Sequence, residues 1–216
     1  MAMNIYDLIA LSSALLAVLM LGSMQIKNNL VFYSIHTFLL SAETWWIEKL
    51  TSDTHLFYVG LTICILKAIF IPCFLNWVRI RIGVRSESAA FLTPPIAMFL
   101  GAALMGLSYL ISTQLPSILG EGDTRIGATA AMSILFTGVL LMLTRKTAMS
   151  QIIGFLVIEN GIYLFTLTQT NGMPMIVEMG IMLDVLVGVM ICGLILFRIK
   201  KNFEHIDVSL LTGLRD

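Results

Sequence analysis

Five acidic or basic side chains stand deep inside long apolar runs of the chain: His36, Glu43, Lys67, Glu159 and Asp184. A charged group near the centre of a bilayer costs about 2.5–3.5 kcal/mol on insertion scales, so each needs a compensating partner or a function. His36 and Glu43 are seven residues apart and share a helix face. Asn160 follows Glu159, Tyr163 lies one turn later, and Pro72 comes five residues after Lys67. Acids and bases held at similar depth can pair and exchange partners, because protonating one acid releases its lysine. That is the chemistry of a proton relay. At an effective dielectric of about 20, unit charges about 4 Å apart interact by about 4 kcal/mol, enough to move a neighbour's protonation equilibrium more than a hundredfold. The plainer alternative is that such groups only join helices, at about 0.6 kcal/mol per polar contact. Pro72 lacks an N–H and frees the carbonyl of Ala68, which predicts a break beside Lys67 and suits a water-lined gap.

The elements that must hold these groups are membrane helices. Of the 216 residues 58% are hydrophobic and 12% charged, too few charges to cover a soluble globule of this size. Lysine and arginine balance aspartate and glutamate at thirteen each, so no bulk field draws nucleic acid. Seven stretches are long enough to span a bilayer: 5–24, 29–47, 57–78, 92–114, 126–143, 150–169 and 176–198. None alternates with the period of a barrel strand. Pro94 and Pro95 suit the first turn of the fourth helix. Lys27, Arg79, Arg81, Arg85, Arg145, Lys146, Arg198, Lys200, Lys201 and Arg215 fall on one side, and Lys49 and Arg125 on the other, which predicts an outer N-terminus and a cytoplasmic C-terminus. Counted from the basic side, His36 lies about seven residues deep, Glu159 about ten, Lys67 about eleven, Asp184 about thirteen and Glu43 about fourteen, at roughly 1.5 Å each. Glu178 falls near the outer rim and is not expected to be central.

The first span has no basic residues ahead of it and reads as a retained helix rather than a cleaved signal. Cys64, Cys73 and Cys192 lie in spans without metal or redox spacing and read as small buried residues. No haem, iron–sulfur or nucleotide motif occurs. Offsetting the chain by 116–117 residues lays Glu43 on Glu159 and Lys67 on Asp184. That predicts two parallel three-helix units, 1–85 and 126–216, flanking an intervening helix at 92–114.

The C-terminal half carries Arg145-Lys146, Gly154-Phe155-Leu156-Val157-Ile158-Glu159-Asn160-Gly161, a run from Val177-Glu178-Met179-Gly180-Ile181 through Asp184 to Val189, and the basic tail Arg198-Ile199-Lys200-Lys201 before Ile206-Asp207. It resembles the K subunit of NADH:quinone oxidoreductase and the related C subunit of Mrp-type antiporters. The whole chain, with Lys67-Ala68-Ile69-Phe70-Ile71-Pro72 added, looks like the hydrogenase-4 component E family. The resemblance implies a non-catalytic membrane-arm subunit of a proton-translocating hydrogenase or complex I-related oxidoreductase in a prokaryotic cytoplasmic membrane. Nickel–iron and iron–sulfur centres would sit in partner subunits and none in this chain, and antiporter-like membrane subunits would be neighbours. Glu159 and Asp184 match the two carboxylates of the K subunit's proton path. Glu159 falls about one turn later than its counterpart, with Leu156 at the aligned position, and Asp184 is one methylene shorter than a glutamate. Lys67 has no counterpart in the K subunit. The expected path is Glu159, Asp184, Lys67, His36 and Glu43, supported by Asn160, Tyr163 and Pro72. A sodium/proton antiporter-type subunit, a structural adaptor and a stand-alone transporter are the alternatives.

Overall fold

A computed structural model of the chain describes residues 5–52, 54–82, 86, 90–114 and 124–169, with Gly188 and Gly193. The seventh expected span, Asp184, Glu178 and Cys192 lie outside the described residues. Every named element among the described residues is helical: α1 (Ile5–Gly22), α2 (Ile26–Thr51), α3 (Thr54–Thr62), a π-helical segment (Ile63–Phe70), α4 (Ile71–Ile82), α5 (Pro94–Ser112), α6 (Thr124–Thr144) and α7 (Ala148–Gln169). Five helices are long and apolar enough to cross a membrane: Ile5–Gly22, Thr54–Arg81, Pro94–Ser112, Arg125–Thr144 and Ala148–Gln169. The second expected span, α2, is 26 residues long but less apolar, because it carries Lys27, Glu43, Glu48 and Lys49. It is nonetheless lined with buried residues, Leu30, Tyr33, Leu40 and the wholly buried His36 and Glu43 among them.

Local chemistry explains the boundaries. Thr93 precedes Pro94 and Pro95, which occupy the first turn of α5, where missing N–H groups cost little. Ser52 closes α2 in the left-handed region, φ 55°, donating its N–H to the carbonyl of Glu48. The third span is interrupted where Pro72 predicts a break. The backbone widens into eight residues of π-helix with Lys67 inside, and the Ser34 hydroxyl donates to the freed carbonyl of Ala68. Such π segments arise where the α ladder cannot be completed and are frequent at functional sites.

The helices alternate up and down. At one end the Arg145 guanidinium, behind α6, donates from Nη2 to the carbonyls of Leu21 (2.7 Å), in the last turn of α1, and Ser23 (3.0 Å), just past it. Isolated bridges Gln25–Ser86 and Ala90–Arg145 bring the start of α2, the link after α4 and the start of α5 to the same end. This end therefore gathers Lys27, Arg79, Arg81, Arg145 and Lys146. At the opposite end the Ser112 and Thr129 hydroxyls meet at 2.7 Å, and Leu56 and Val59 pack with Tyr163 and Leu167. Aromatic side chains mark both ends: Trp45 stacks on Phe57 at one, and Trp77, with Arg81 over its ring at 5.4 Å, stands at the other. That is how helices anchor at two membrane interfaces.

Four helices form a ring in which α1 packs on α2, α2 on α7, α7 on α6 and α6 on α1. The third span lies against α2 and α5 against α6 and α1. The closest seam is between α6 and α7. A Cβ on Gly138 would lie 2.7 Å from the Ile158 nitrogen, and one on Gly161 2.7 Å from the Leu135 nitrogen. Lipid offers helices no hydrophobic reason to associate, so close backbone approach at small residues supplies the attraction. Outward faces carry Phe99, Leu110, Ile80 and Leu143, each more than 60% exposed in the isolated chain, as a lipid-covered surface requires.

Arg145 reads in the sequence as one more solvated residue of a basic turn, yet it is 2% exposed. Its fork satisfies carbonyls that α1 cannot bond itself. Arg145→Met should leave those acceptors without a donor and lower stability by about 1–3 kcal/mol per lost group, seen as a depressed Tm of the detergent-solubilised protein. An unchanged Tm would remove Arg145 from this role.

Candidate buried ion-path site

The Lys67 ammonium lies 3.7 Å from the Glu159 carboxylate, with both side chains about 5% exposed. Lys67 comes from the π segment and Glu159 from the middle of α7. The pair therefore joins the third span to the ring. Asn160 donates from Nδ2 to the Thr37 hydroxyl at 2.8 Å, and the Tyr163 and Thr44 hydroxyls are 2.6 Å apart. These two contacts sew α7 to α2 within the turn that follows Glu159. Tyr33, wholly buried, lies beside Thr37, Asn160 and Glu159.

His36 faces α1. Its Nδ1 is 3.0 Å from the carbonyl oxygen of Ser13. A carbonyl only accepts, so the geometry assigns the hydrogen to Nδ1, and in the neutral ring Nε2 is the acceptor. Nε2 has no hydrogen-bond partner among the described residues. Glu43, wholly buried one heptad further along α2, has none for either carboxylate oxygen among those residues. Pro72 is buried below Lys67 at the start of α4. Lys67, Glu159, Asn160 and Tyr163 are thus brought to the α2–α7 seam, while His36 stands on the α1 side of α2.

Five residues escape a reading of the sequence. Tyr33, Thr37 and Thr44 lie at helical spacing on one stripe of α2, and that stripe was the available signal. Ser34 gives no signal, because its role depends on the position of Ala68 in another helix. Asp7 is wholly buried in the first turn of α1, where an acid by itself reads as a favourable helix-start charge.

Several helices able to cross a membrane, holding a buried lysine–glutamate pair between them, define a multi-pass helical membrane protein with an ionisable interior. The chain belongs to the same family as the uncharacterized protein Rv0085 of Mycobacterium tuberculosis, to which it is 32% identical over 169 residues, 76% of this chain and 75% of that protein. It is also 22% identical over 184 residues to hydrogenase-4 component E of Escherichia coli K12, covering 85% of each chain, and to the same component of Shigella flexneri to the same extent. No protein-family model matches the chain. No solved structure matches it.

Proposed function

We propose that the chain is a non-catalytic membrane-arm subunit of a hydrogenase-type, proton-translocating oxidoreductase complex in a prokaryotic cytoplasmic membrane, with the basic end of its helices on the cytoplasmic side. The observation that carries this reading is the buried Lys67–Glu159 pair at 3.7 Å, set on a π segment at mid-span. The similarity to hydrogenase-4 component E supports the choice of complex.

In this reading Glu159 and Asp184 carry protons along the midplane. Lys67 holds Glu159 charged in one state and is released when the carboxylate takes up a proton. His36 and Glu43 extend the path, and Asn160 and Tyr163 hold α7 in register with α2 while Glu159 changes state. Nickel–iron and iron–sulfur chemistry belongs to partner subunits, and antiporter-like membrane subunits continue the path on either side. Movement of protons through this subunit makes and breaks no carbon bond and consumes no reductant of its own.

The test begins with the native complex. Pull-down of the chain from solubilised membranes should bring a hydrogenase-type arm with it, and Asp184→Asn should lower the protons moved per hydrogen turned over at least tenfold. Recovery of the chain as a lone stable oligomer, or full proton movement in both Asp184→Asn and Glu159→Gln, would sink the proposal. Transport that requires sodium would assign the same residues to a sodium path instead.

A further inference from the structure

Two hydrogen bonds place Tyr33 beside the midplane pair. Its neighbour Ser34 donates to the carbonyl of Ala68, the residue after Lys67. One turn on, Thr37 accepts from Asn160, the residue after Glu159. The phenol of Tyr33, wholly buried, is accordingly held next to Thr37, Asn160 and Glu159. Three elements meet there: the third span brings an ammonium, α7 a carboxyl group and α2 a phenol.

The polar groups around Glu159 differ in what already occupies them. Asn160 gives its Nδ2 hydrogen to Thr37 at 2.8 Å, and the Tyr163 hydroxyl is taken by Thr44 at 2.6 Å. The Tyr33 hydroxyl has no hydrogen-bond partner among the described residues. Phenylalanine would fill the same space with no polar atom to satisfy, and buried polar atoms are ordinarily satisfied. A hydroxyl without a partner in one state of a site that has two is accounted for if its partner arrives in the other. Glu159 has room for it. A carboxyl group offers about four acceptor positions, and the Lys67 ammonium, at 3.7 Å, stands about 1 Å beyond a charge-assisted hydrogen bond.

We propose that Tyr33 is the partner of Glu159 in its protonated state, so that the carboxyl group alternates between Lys67 when charged and Tyr33 when neutral. It rests on the midplane reading above and adds the contact that holds the second state. Charge is matched in both arrangements. A carboxylate beside an ammonium sums to zero, and a carboxylic acid beside a phenol places no ion in the low-dielectric interior at all. The phenol O–H donates to the carbonyl oxygen of the acid, and Tyr33 keeps its own hydrogen throughout. Tyr33 therefore carries no proton itself. It lowers the energy of the form of Glu159 from which Lys67 has been released.

Tyr33→Phe in the native complex tests the contact, because it removes the hydroxyl and keeps the ring. In inverted vesicles it should slow proton movement about five- to tenfold, the effect of one hydrogen bond lost from one of two states. Difference infrared spectra of the complex between acid and alkaline buffer should show the carbonyl stretch of protonated Glu159, identified by its absence in Glu159→Gln. In Tyr33→Phe that stretch should move to higher frequency, because its oxygen has lost a donor. The Tm should not fall, since the hydroxyl bonds nothing among the described residues while Lys67 holds Glu159. Slowed transport with an unshifted stretch, or a lowered Tm, would make Tyr33 a packing residue and overturn the contact. Loss of transport in Glu159→Gln with full transport in Tyr33→Phe would overturn the contact and leave the midplane path standing. Full transport in both variants, or a wild-type spectrum without the Glu159 stretch, would overturn the two together.

Discussion

Lys67→Met should cost about 3–5 kcal/mol of stability, whereas the double exchange Lys67→Met with Glu159→Gln should recover most of that and still move no protons. The asymmetry follows from burial. Both side chains are about 5% exposed and 3.7 Å apart, so removing one leaves the other's charge in a low-dielectric interior without its counter-charge. Removing both leaves neutral groups of similar volume, which membrane interiors tolerate. Thermal unfolding of the solubilised complex reads the first effect, and a pH-sensitive dye in inverted vesicles reads the second. Glu159→Gln alone should abolish proton movement while electron transfer from hydrogen to a soluble dye continues in the partner arm. A stable double variant that still pumps would mean that the pair only joins helices.

Gly161→Val should have the next largest effect. A Cβ at this position would stand 2.7 Å from the Leu135 nitrogen and 2.9 Å from its Cα, and backbone cannot rotate aside as a side chain can. Helix α7 would have to move away from α6, at a cost of about 1–3 kcal/mol for overpacking and more if the seam opens. Because Glu159 and Asn160 precede Gly161, the same displacement would pull Asn160 off Thr37 and reposition the carboxylate against Lys67. Gly106, with nothing within 4 Å of an added Cβ, is the matched control. Gly106→Ala should be neutral or stabilise by roughly 0.5–1 kcal/mol through helix propensity. Equal Tm values for the two variants would contradict the close seam.

What the sequence reveals here depends on whether a feature is set along one helix or between several. Depth is set along a helix. Counting residues from the basic turns therefore brings Lys67 and Glu159 to one level, and Pro72 marks where the third span departs from α-helical geometry. Lateral order is not written in any single helix. The sequence leaves Lys67 free to face Glu159, Asp184 or Glu43, and only the packing of the third span against α2 selects Glu159. Arg145 illustrates the same limit from the other direction. A basic residue in a turn is ordinarily solvated, and nothing nearby in sequence shows that α1 ends beneath it. Asp184 and the second half of the internal repeat lie outside the described residues, so the fold and the site are read from the first six spans.

The clasp between Arg145 and Leu21 closes a separation of 124 residues. At a synthesis rate of roughly 5–20 residues per second, α1 leaves the ribosome about 6–25 s before its clasp exists. Until then its end carbonyls must be met by lipid headgroups, by water or by the insertion machinery. The first helix thus waits in the bilayer as a provisional guest, and the bundle becomes a closed object only when its sixth span has been threaded. Agents that delay late translation should therefore expose this chain to quality-control proteases at its beginning rather than at its unfinished end.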